Sequence, residues 1–412
     1  MSSLTSWIDR TLESVVRRIA DPISVRFSPF LDRTENAAVQ STTPAVRIAD
    51  RRTLVSLAMN PEVGFGEGYS TGKITVEGDL VRLLEMTSKS PSRTQTWPAR
   101  LFSRWLRWMQ ANTLGGSRRN IHHHYDLPTD FYQLWLDPEL VYTCAYFPEP
   151  TATLEEAQQA KLDLVCRKLW LQSNEKVVEA GCGWGSLAIY MARNYGVQVK
   201  AFNISREQIA FARERAKREG LTSRVEFIED DYRNIRGDFD VFASVGMLEH
   251  VGRENYPELG RIIRRAIGDR GRGLLHFIGR NYHRQLSPWL RKHIFPGAYV
   301  PTLREAMEVI ELQHMGVLDV ENLRLHYART LEHWLAAFER SFDSVVRRFG
   351  INFARTWRLY LAGSIAAFRT GSLQLFQMVF AGRECQHIPW NRAYLYQTPD
   401  DREEATWIRA IS

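Results

Sequence analysis

From about residue 160 onward, short apolar runs alternate with stretches in which apolar residues recur at helical spacing. The runs are KVVEAG (176–181), VQVKAFNIS (197–205), VEFIED (225–230), FDVFASVG (239–246) and GLLHFIG (273–279). Strands alternating with helices in this way predict a parallel sheet covered by helices on both faces, a doubly wound α/β domain. A helix-rich insertion over roughly 280–370 precedes a last strand, LQLFQMVFAG (373–382). Nearer the start, Leu4, Trp7, Ile8, Leu12, Val15, Val16 and Ile19 have the spacing of an amphipathic helix. Glycine-broken, strand-like pieces such as GFGEGYSTGKITVEGDL follow within 45–80, and 80–88 reads as helix. Residues 1–92 are therefore expected to form a small mixed α/β domain. A Ser/Pro/Thr-rich connection, SKSPSRTQTWP, ends it. Residues 93–120 are expected to be a linking helix, and 121–412 the large domain.

Charge changes this picture in one place. The net charge is +7, and the first 120 residues hold 17 Lys and Arg against 11 Asp and Glu. Between Arg93 and Arg119 there are six arginines and no acid, interleaved with Leu101, Phe102, Trp105, Leu106, Trp108 and Met109. A local basic excess points to an anionic partner, nucleic acid or anionic lipid. Tryptophan and arginine on one amphipathic helix suit a lipid headgroup interface, and they suit equally an interdomain helix packed on a neighbouring core. Four cysteines, Cys144, Cys166, Cys182 and Cys385, form no CxxC pair, so neither a disulfide framework nor a zinc site is expected. The N-terminal segment contains acids and lacks a long apolar core, and no run of 18 apolar residues occurs. A cytoplasmic protein able to meet the inner membrane face is the expectation.

The most informative stretch is EAGCGWGSLAIY (179–190), in which Gly181, Gly183 and Gly185 separate a strand from a helix. Glycines there make the turn tight and let a ligand approach the backbone. A dinucleotide fingerprint would read G-x-G-x-x-G with an acid about 20 residues on, but Asn203 ends the second strand instead. No phosphate-loop lysine follows either. The spacing E-x-G-x-G-x-G resembles the nucleoside pocket of class I methyltransferases, Rossmann-like doubly wound domains that bind S-adenosylmethionine. The acids and tyrosine of IEDDYRN (228–234) stand where an adenine would be met.

Longer segments make the resemblance specific. HHYDLPTDFYQLWLDPELVYTCAYF (123–147), EAGCGWGSLAIY, SVGMLEHVG (244–252), LLHFIG (274–279) and LQLFQMVF (373–380), in this order, strongly resemble the cyclopropane fatty acid synthases. The likeness to mycolic acid cyclopropane synthases is looser. The resemblance implies delivery of a methylene group from S-adenosylmethionine across a cis double bond of a phospholipid acyl chain. It implies that the methyl donor meets Tyr142, Thr143, Glu179, Gly181, Gly183, Gly185, Asn203, Gln208, Asp231 and Tyr232. Many relatives have Thr where Asn203 stands, and either side chain can bond a ribose edge. It further implies a bicarbonate ion held by backbone near Cys144 and Val245 and by the side chains of Glu249, His276 and Tyr327.

That set makes chemical sense. Attack of an alkene on a methyl electrophile leaves a carbocation, and ring closure removes a proton from the new methyl. The base must work in a dry, apolar pocket, and a small anion held by donors can do so. Aromatic faces of Tyr125, Phe131, Tyr142, Tyr146 and Phe147 could stabilise the cation by about 1–2 kcal/mol each. Cys144 has no activating neighbours, and no covalent step requires it as a nucleophile. Ser364 stands where many relatives carry a cysteine. The acyl chain is expected to enter an apolar tunnel through the 280–370 insertion, and a homodimer fits the family.

Other readings remain. A methyl- or methylene-forming methyltransferase would act on the same olefin, and related small-molecule N-methyltransferases share many of the motifs. A non-catalytic lipid-binding protein would be expected to have lost Glu249, His276 or the glycine turn. A nucleic-acid methyltransferase is disfavoured because SVGMLEHVG replaces a base-flipping motif after the fourth strand. No metal and no nucleic acid are expected.

Overall fold

The computed structural model describes residues 24–27, 44–89 and 127–395. The helix expected over 4–20, the Trp/Arg stretch 93–120 and Tyr125 lie outside the described residues. In the N-terminal unit, strands β1 (Ser24–Phe27), β2 (Ala45–Ile48) and β3 (Ile74–Glu77) form one sheet in that order. Helices α1 (Arg51–Met59), α2 (Pro61–Ser70) and α3 (Leu80–Lys89) accompany it. Asp50 caps α1 by accepting from the Thr53 N–H, and Asn60 caps α2 through Val63. Pro61 opens α2, where its missing donor costs nothing.

Helix α2 corrects the expectation for this segment, whose glycines read as broken strand. Gly64, Gly66 and Gly68 are helical, and none has room for a side chain. A Cβ would lie 2.7 Å from backbone of Ser56 and Leu57 at Gly64, 2.4 Å from the Trp289 ring at Gly66, and 2.6 Å from Ile74 at Gly68. Each helical glycine costs about 1 kcal/mol relative to alanine. Close packing on three sides overrides that propensity.

The large unit begins with α4 (Thr129–Tyr132) and α5 (Leu154–Lys168) and continues β4 (Lys176–Ala180), α6 (Ser186–Tyr195), β5 (Gln198–Asn203), α7 (Arg206–Arg218), β6 (Val225–Glu229) and β7 (Val241–Val245). Then come α8 (Leu248–Val251), α9 (Tyr256–Ile267), β8 (Arg272–Gly279), α10 (Pro288–His293), α11 (Leu303–Glu311) and β9 (Gly316–Asn322). Helices α12 (Arg324–Arg340), α13 (Phe342–Phe349) and α14 (Ile351–Arg369) lead to β10 (Gln374–Ala381). The sheet order is β6-β5-β4-β7-β8-β10-β9. Every strand expected from the apolar runs is present. The sheet is mixed rather than wholly parallel: β10 runs antiparallel to both β8 and β9. Strand β9 was not expected. It is an edge strand, exposed or half-buried throughout, so it lacks the continuous apolar run of its neighbours.

Successive residues of β4 face opposite layers, as a strand's period of two requires. Val177 packs with α5, α6 and α7, whereas Val178 and Ala180 pack with α9 and α11. A third core joins the N-terminal unit to the insertion: Leu54, Tyr69, Ile74 and Leu83 share it with Trp289, Trp334, Trp357 and Phe368. Arg355 of α14 ties the two, donating to the carbonyls of Tyr69 (2.5 Å) and Ile74 (2.7 Å). Strand order reverses between β4 and β7, and a crevice opens at their carboxyl ends.

Gly66→Val should force the Trp289 ring from its seat and destabilise the chain by roughly 1–3 kcal/mol, the usual cost of overpacking. Urea denaturation of the variant measures this directly.

Candidate functional site

Past Ala180 the chain turns through Gly181, Gly183 and Gly185, with φ of 85°, 54° and 85°. The three glycines answer different needs. At Gly185 a Cβ would lie 2.5 Å from the Phe227 ring, and at Gly181 it would lie 3.1 Å from Met247. At Gly183 nothing stands within 4 Å, because this glycine faces a cavity of about 240 Å³. Asn203 braces the turn from behind, donating to the Gly183 carbonyl (3.3 Å) and to Gln208 Oε1 (2.7 Å). Its side chain is thus engaged by the protein, while both residues also line the cavity.

A second wall is the segment 137–144, held by side chains the sequence reading missed. Asp137 accepts from the N–H groups of Glu139 and Val141, each at 3.0 Å. From α5, Gln158 donates to the carbonyls of Val141 (3.1 Å) and Thr143 (2.9 Å). One turn on, Lys161 Nζ donates to Thr143 Oγ1 at 2.8 Å. Both are buried, in phase with Ala157, Leu164 and Val165. A lysine and a glutamine at core positions of an otherwise regular helix were the available signal. Burial pushes Lys161 down to about 8 and Asp137 up to about 6. Burial also raises Glu179 to about 8 against the opposing charge of Lys161, and Glu179 Oε2 has no partner. Asp231 accepts from the Arg233 N–H (3.0 Å) and guanidinium (3.1 Å), and Arg233 stacks over the Tyr232 ring.

Beyond β7, Gly246 turns the chain with φ of 75° and delivers Glu249 into the cavity wall at α8. Glu249 Oε1 accepts from the Ile278 N–H at 2.5 Å, and Oε2 has no protein partner. Sheet register sets His276 between Val245 of β7 and Gln377 of β10. Its Nδ1 lies 3.1 Å from Gln377 Nε2. With the amide donating, the ring proton belongs on Nε2, which has no protein partner. Burial holds His276 well below the ordinary histidine range, so the ring is neutral. The neighbouring His250 is pushed down to about 4 for the same reason. Tyr327 lies against Phe368, with ring centroids 4.6 Å apart. The Tyr142 and Tyr360 hydroxyls pair at 2.8 Å. Burial pushes the Cys144 thiol up, and its Sγ donates to the Ala145 carbonyl.

Every expected site residue except Gly185 lines this one cavity, and Gly185 acts by packing alone. The aromatic expectation is corrected. Of the five rings named, Tyr142 lines the cavity and Tyr125 lies outside the described residues. Phe131 is buried among Trp135, Phe349 and Trp357, while Tyr146 and Phe147 stack on His326 and Phe147 also on His333. The rings that do face the cavity from the insertion are Phe295, Tyr327, Tyr360 and Phe368, joined by Leu290 and Leu331. Ser364 also lines it, its hydroxyl donating to the Tyr360 carbonyl at 2.8 Å. Among the described residues no cluster of His, Cys, Asp and Glu could hold a metal ion.

The cavity therefore has a polar end at the glycine turn and an apolar end within the insertion. The bare backbone at Gly183 and the unpartnered buried atoms Glu179 Oε2 and Gln208 Nε2 fit a polar ligand of nucleoside type. The unpartnered Glu249 Oε2 and His276 Nε2 fit a small anion that shares a proton.

The family model described as mycolic acid cyclopropane synthetase matches residues 114–378. A probable fatty acid methyltransferase of Pseudomonas putida is 35% identical over 348 residues, 81% of this chain and 86% of that protein. The cyclopropane-fatty-acyl-phospholipid synthase of Escherichia coli (strain K12) is 39% identical over 259 residues, 63% of this chain and 66% of that protein. Among solved structures, mycolic acid cyclopropane synthase CmaA1 complexed with SAH and CTAB is similar at a TM-score of 0.61 and 29% identity. That match covers 64% of this chain and 97% of the other.

Burial raises the Glu249 carboxyl from 4.5 to about 7, so between those values the folded chain holds a proton that the unfolded chain releases. Its contribution to stability is full below the unfolded value and is lost as the pH rises through about 7. Glu249→Gln keeps the acceptor for Ile278 and removes the titration. Relative to the parent it should gain up to about 3 kcal/mol between acid and mildly alkaline pH, read from urea denaturation at both. An equal difference at both would mean that the carboxyl is not desolvated.

Proposed function

For this chain, which belongs to the mycolic acid cyclopropane synthetase family, we propose cyclopropanation of a cis double bond in an unsaturated acyl chain of a membrane phospholipid. Its enzymatic class is that of an S-adenosylmethionine-dependent methyltransferase. The observation that carries the proposal is a single cavity with the glycine turn at one end, an apolar insertion at the other, and Glu249 and His276 in its wall.

Gly181, Gly183, Asn203, Gln208 and Asp231 would hold S-adenosylmethionine, which would supply an electrophilic methyl group. Lys161 and Gln158 hold Thr143 and Val141 in place against that ligand, and Lys161 sets its charge against Glu179. The apolar walls of the insertion take the acyl chain out of water, which keeps the cation formed on the olefin from being captured by solvent. Ring closure transfers a proton from the added carbon to a base and forms the third carbon–carbon bond. His276 Nε2–H, Glu249, Tyr327 and backbone near Cys144 and Val245 would hold bicarbonate, a small base, at this point. Glu249, raised to about 7 by burial, is suited to hold the released proton near neutral pH. Tyr142, Tyr327 and Tyr360 offer ring faces to the cation.

A second reading has an observation of its own. The Pseudomonas relative that matches most of both chains bears the name of a fatty acid methyltransferase. A 1,2-hydride shift that moves the cation onto the methyl-bearing carbon, followed by loss of a methyl proton, would give a methylene branch, and a methyl branch would need a separate hydride donor to reduce it.

Incubation with S-adenosylmethionine and unsaturated phospholipid vesicles, with mass spectrometry and proton NMR of the released fatty acids, separates these. A gain of one CH2 with upfield ring protons supports cyclopropanation. The same gain with vinylic protons replaces it by methylene formation, and no gain on any lipid defeats both.

The arginines of the basic stretch would meet the anionic membrane surface. Replacing Arg100, Arg104 and Arg107 together by Glu should lower turnover on anionic vesicles, at about 1 kcal/mol of surface affinity per charge. Turnover on a detergent-solubilised substrate should be spared. Unchanged turnover on vesicles would remove the membrane role of this stretch.

A further inference from the structure

Strand β8 carries His276 and Ile278 into the cavity wall on alternate residues. Its period of two puts the next residue of that series, Arg280, on the same face of the sheet. At about 3.3 Å per residue, Arg280 lies roughly 13 Å along the chain from His276. Its backbone is fixed, for it bridges to Thr302 and its N–H donates to the Pro301 carbonyl at 2.8 Å. The segments on either side return to the cavity: Leu286 and Leu290 follow it, and Ala298 and Val300 precede its bridge partner. Arg280 does not line the cavity itself, but apolar lining residues flank it and its bridge partner along the chain.

Arg280 is only 9% exposed, and its Nε has no acceptor. No carboxylate lies within 4 Å of it among the described residues. Its charged neighbours are Arg284, which repels it, and the exposed Glu62 of α2, beyond ion-pair distance. Two other buried arginines have carboxylate partners. Arg272 meets both oxygens of Glu175 and the carbonyls of Leu169 and Trp170, and Arg215 meets Glu139 and Glu219. A buried guanidinium nitrogen without an acceptor is costly, and a second arginine beside it adds repulsion. Such a pair calls for an anion from outside the chain. The planar fork of arginine suits a phosphate, which it can bind through two parallel hydrogen bonds.

We propose that Arg280, with Arg284 beside it, is an anion subsite at the acyl end of the cavity that takes the headgroup phosphate of the lipid substrate. This rests on the reading of the cavity as a site for phospholipid acyl chains. A phosphate held at a fixed distance from His276 would then set how far along the acyl chain the reactive carbons lie. Arg280 would act as the fixed end of a ruler.

The test uses the full chain, its Arg280→Leu and Arg280→Lys variants, and isothermal titration calorimetry. The probes are a dihexanoyl phosphatidylglycerol below its micelle concentration, dihexanoylglycerol and inorganic phosphate. Arg280→Leu should bind the phospholipid about tenfold to a hundredfold more weakly, the usual loss of a charge-assisted contact. Arg280→Lys should recover part of this, and dihexanoylglycerol should bind all three proteins alike. The phospholipid should raise the melting temperature of the parent and not that of Arg280→Leu, whose unliganded melting temperature should be no lower. Equal phospholipid affinity for the parent and Arg280→Leu would overturn the proposal. Inorganic phosphate binding the parent as tightly as the phospholipid would also overturn it, in favour of a free phosphate site. The two readings fail separately. Weakened phospholipid binding by Arg280→Leu with no one-carbon transfer to any olefin keeps the subsite and removes the reaction. Transfer by the parent, with affinity and KM unchanged in Arg280→Leu, keeps the reaction and removes the subsite.

Discussion

Taking Lys161, Glu179, Glu249 and His276 out of water at the carboxyl ends of one sheet is the constraint on which the rest of the molecule depends. Each would lose several kcal/mol of hydration if buried alone. The fold meets this with local partners where it can. Lys161 has Thr143, Glu249 has the Ile278 N–H, and His276 has Gln377. The remaining atoms, Glu179 Oε2, Glu249 Oε2 and His276 Nε2, stay unpartnered around the cavity. Three apolar cores, one on each face of the sheet and one between the insertion and the N-terminal unit, hold this arrangement against relaxation.

The two ends of the cavity divide the work by chemistry. One end offers backbone and carboxylates close to a bare turn, which suits a polar, charged ligand. The other offers Leu, Phe and Tyr from the insertion, which suits a hydrocarbon chain. Glu249 comes from α8, just past β7, and His276 from β8, both sheet-anchored, whereas Tyr327 and Tyr360 come from the inserted helices. The titratable residues Glu249 and His276 thus sit on the rigid framework. Those that line the apolar end sit on the added layer of helices.

What could be read from the sequence follows the same division. The central strands β4, β7, β8 and β10 were legible because they are buried on both faces and read as apolar runs, and β5 and β6 because buried residues alternate along them between turn signals. The glycine turn was legible because Gly183 must be bare and Gly185 has a ring against it. Edge strand β9 was not, since half-exposed residues carry no such run. Helix α2 was misread because tertiary contacts with Trp289 and Ile74 decide its glycines. Of the rings grouped by sequence proximity, only Tyr142 reaches the cavity. The facing partners Tyr360 and Phe368 lie more than two hundred residues away. Lys161 and Arg280 passed unnoticed because what distinguishes them is burial, and an isolated basic residue in a sequence does not announce it.

The insertion of β10 between β8 and β9 has a consequence for how the chain is made. Gln377, which orients the His276 ring, is separated from it by 101 residues. At about 5–20 residues per second of synthesis, β8 is complete for several seconds before its neighbour exists. During that interval the run RGLLHFIG presents an unpaired, apolar sheet edge, the kind of surface that templates aggregation. The nascent polypeptide is thus most vulnerable after the parallel half of the sheet has closed. A ribosome that stalls within α14 would release a chain with its glycine turn already formed, its histidine unoriented and its stickiest edge uncovered.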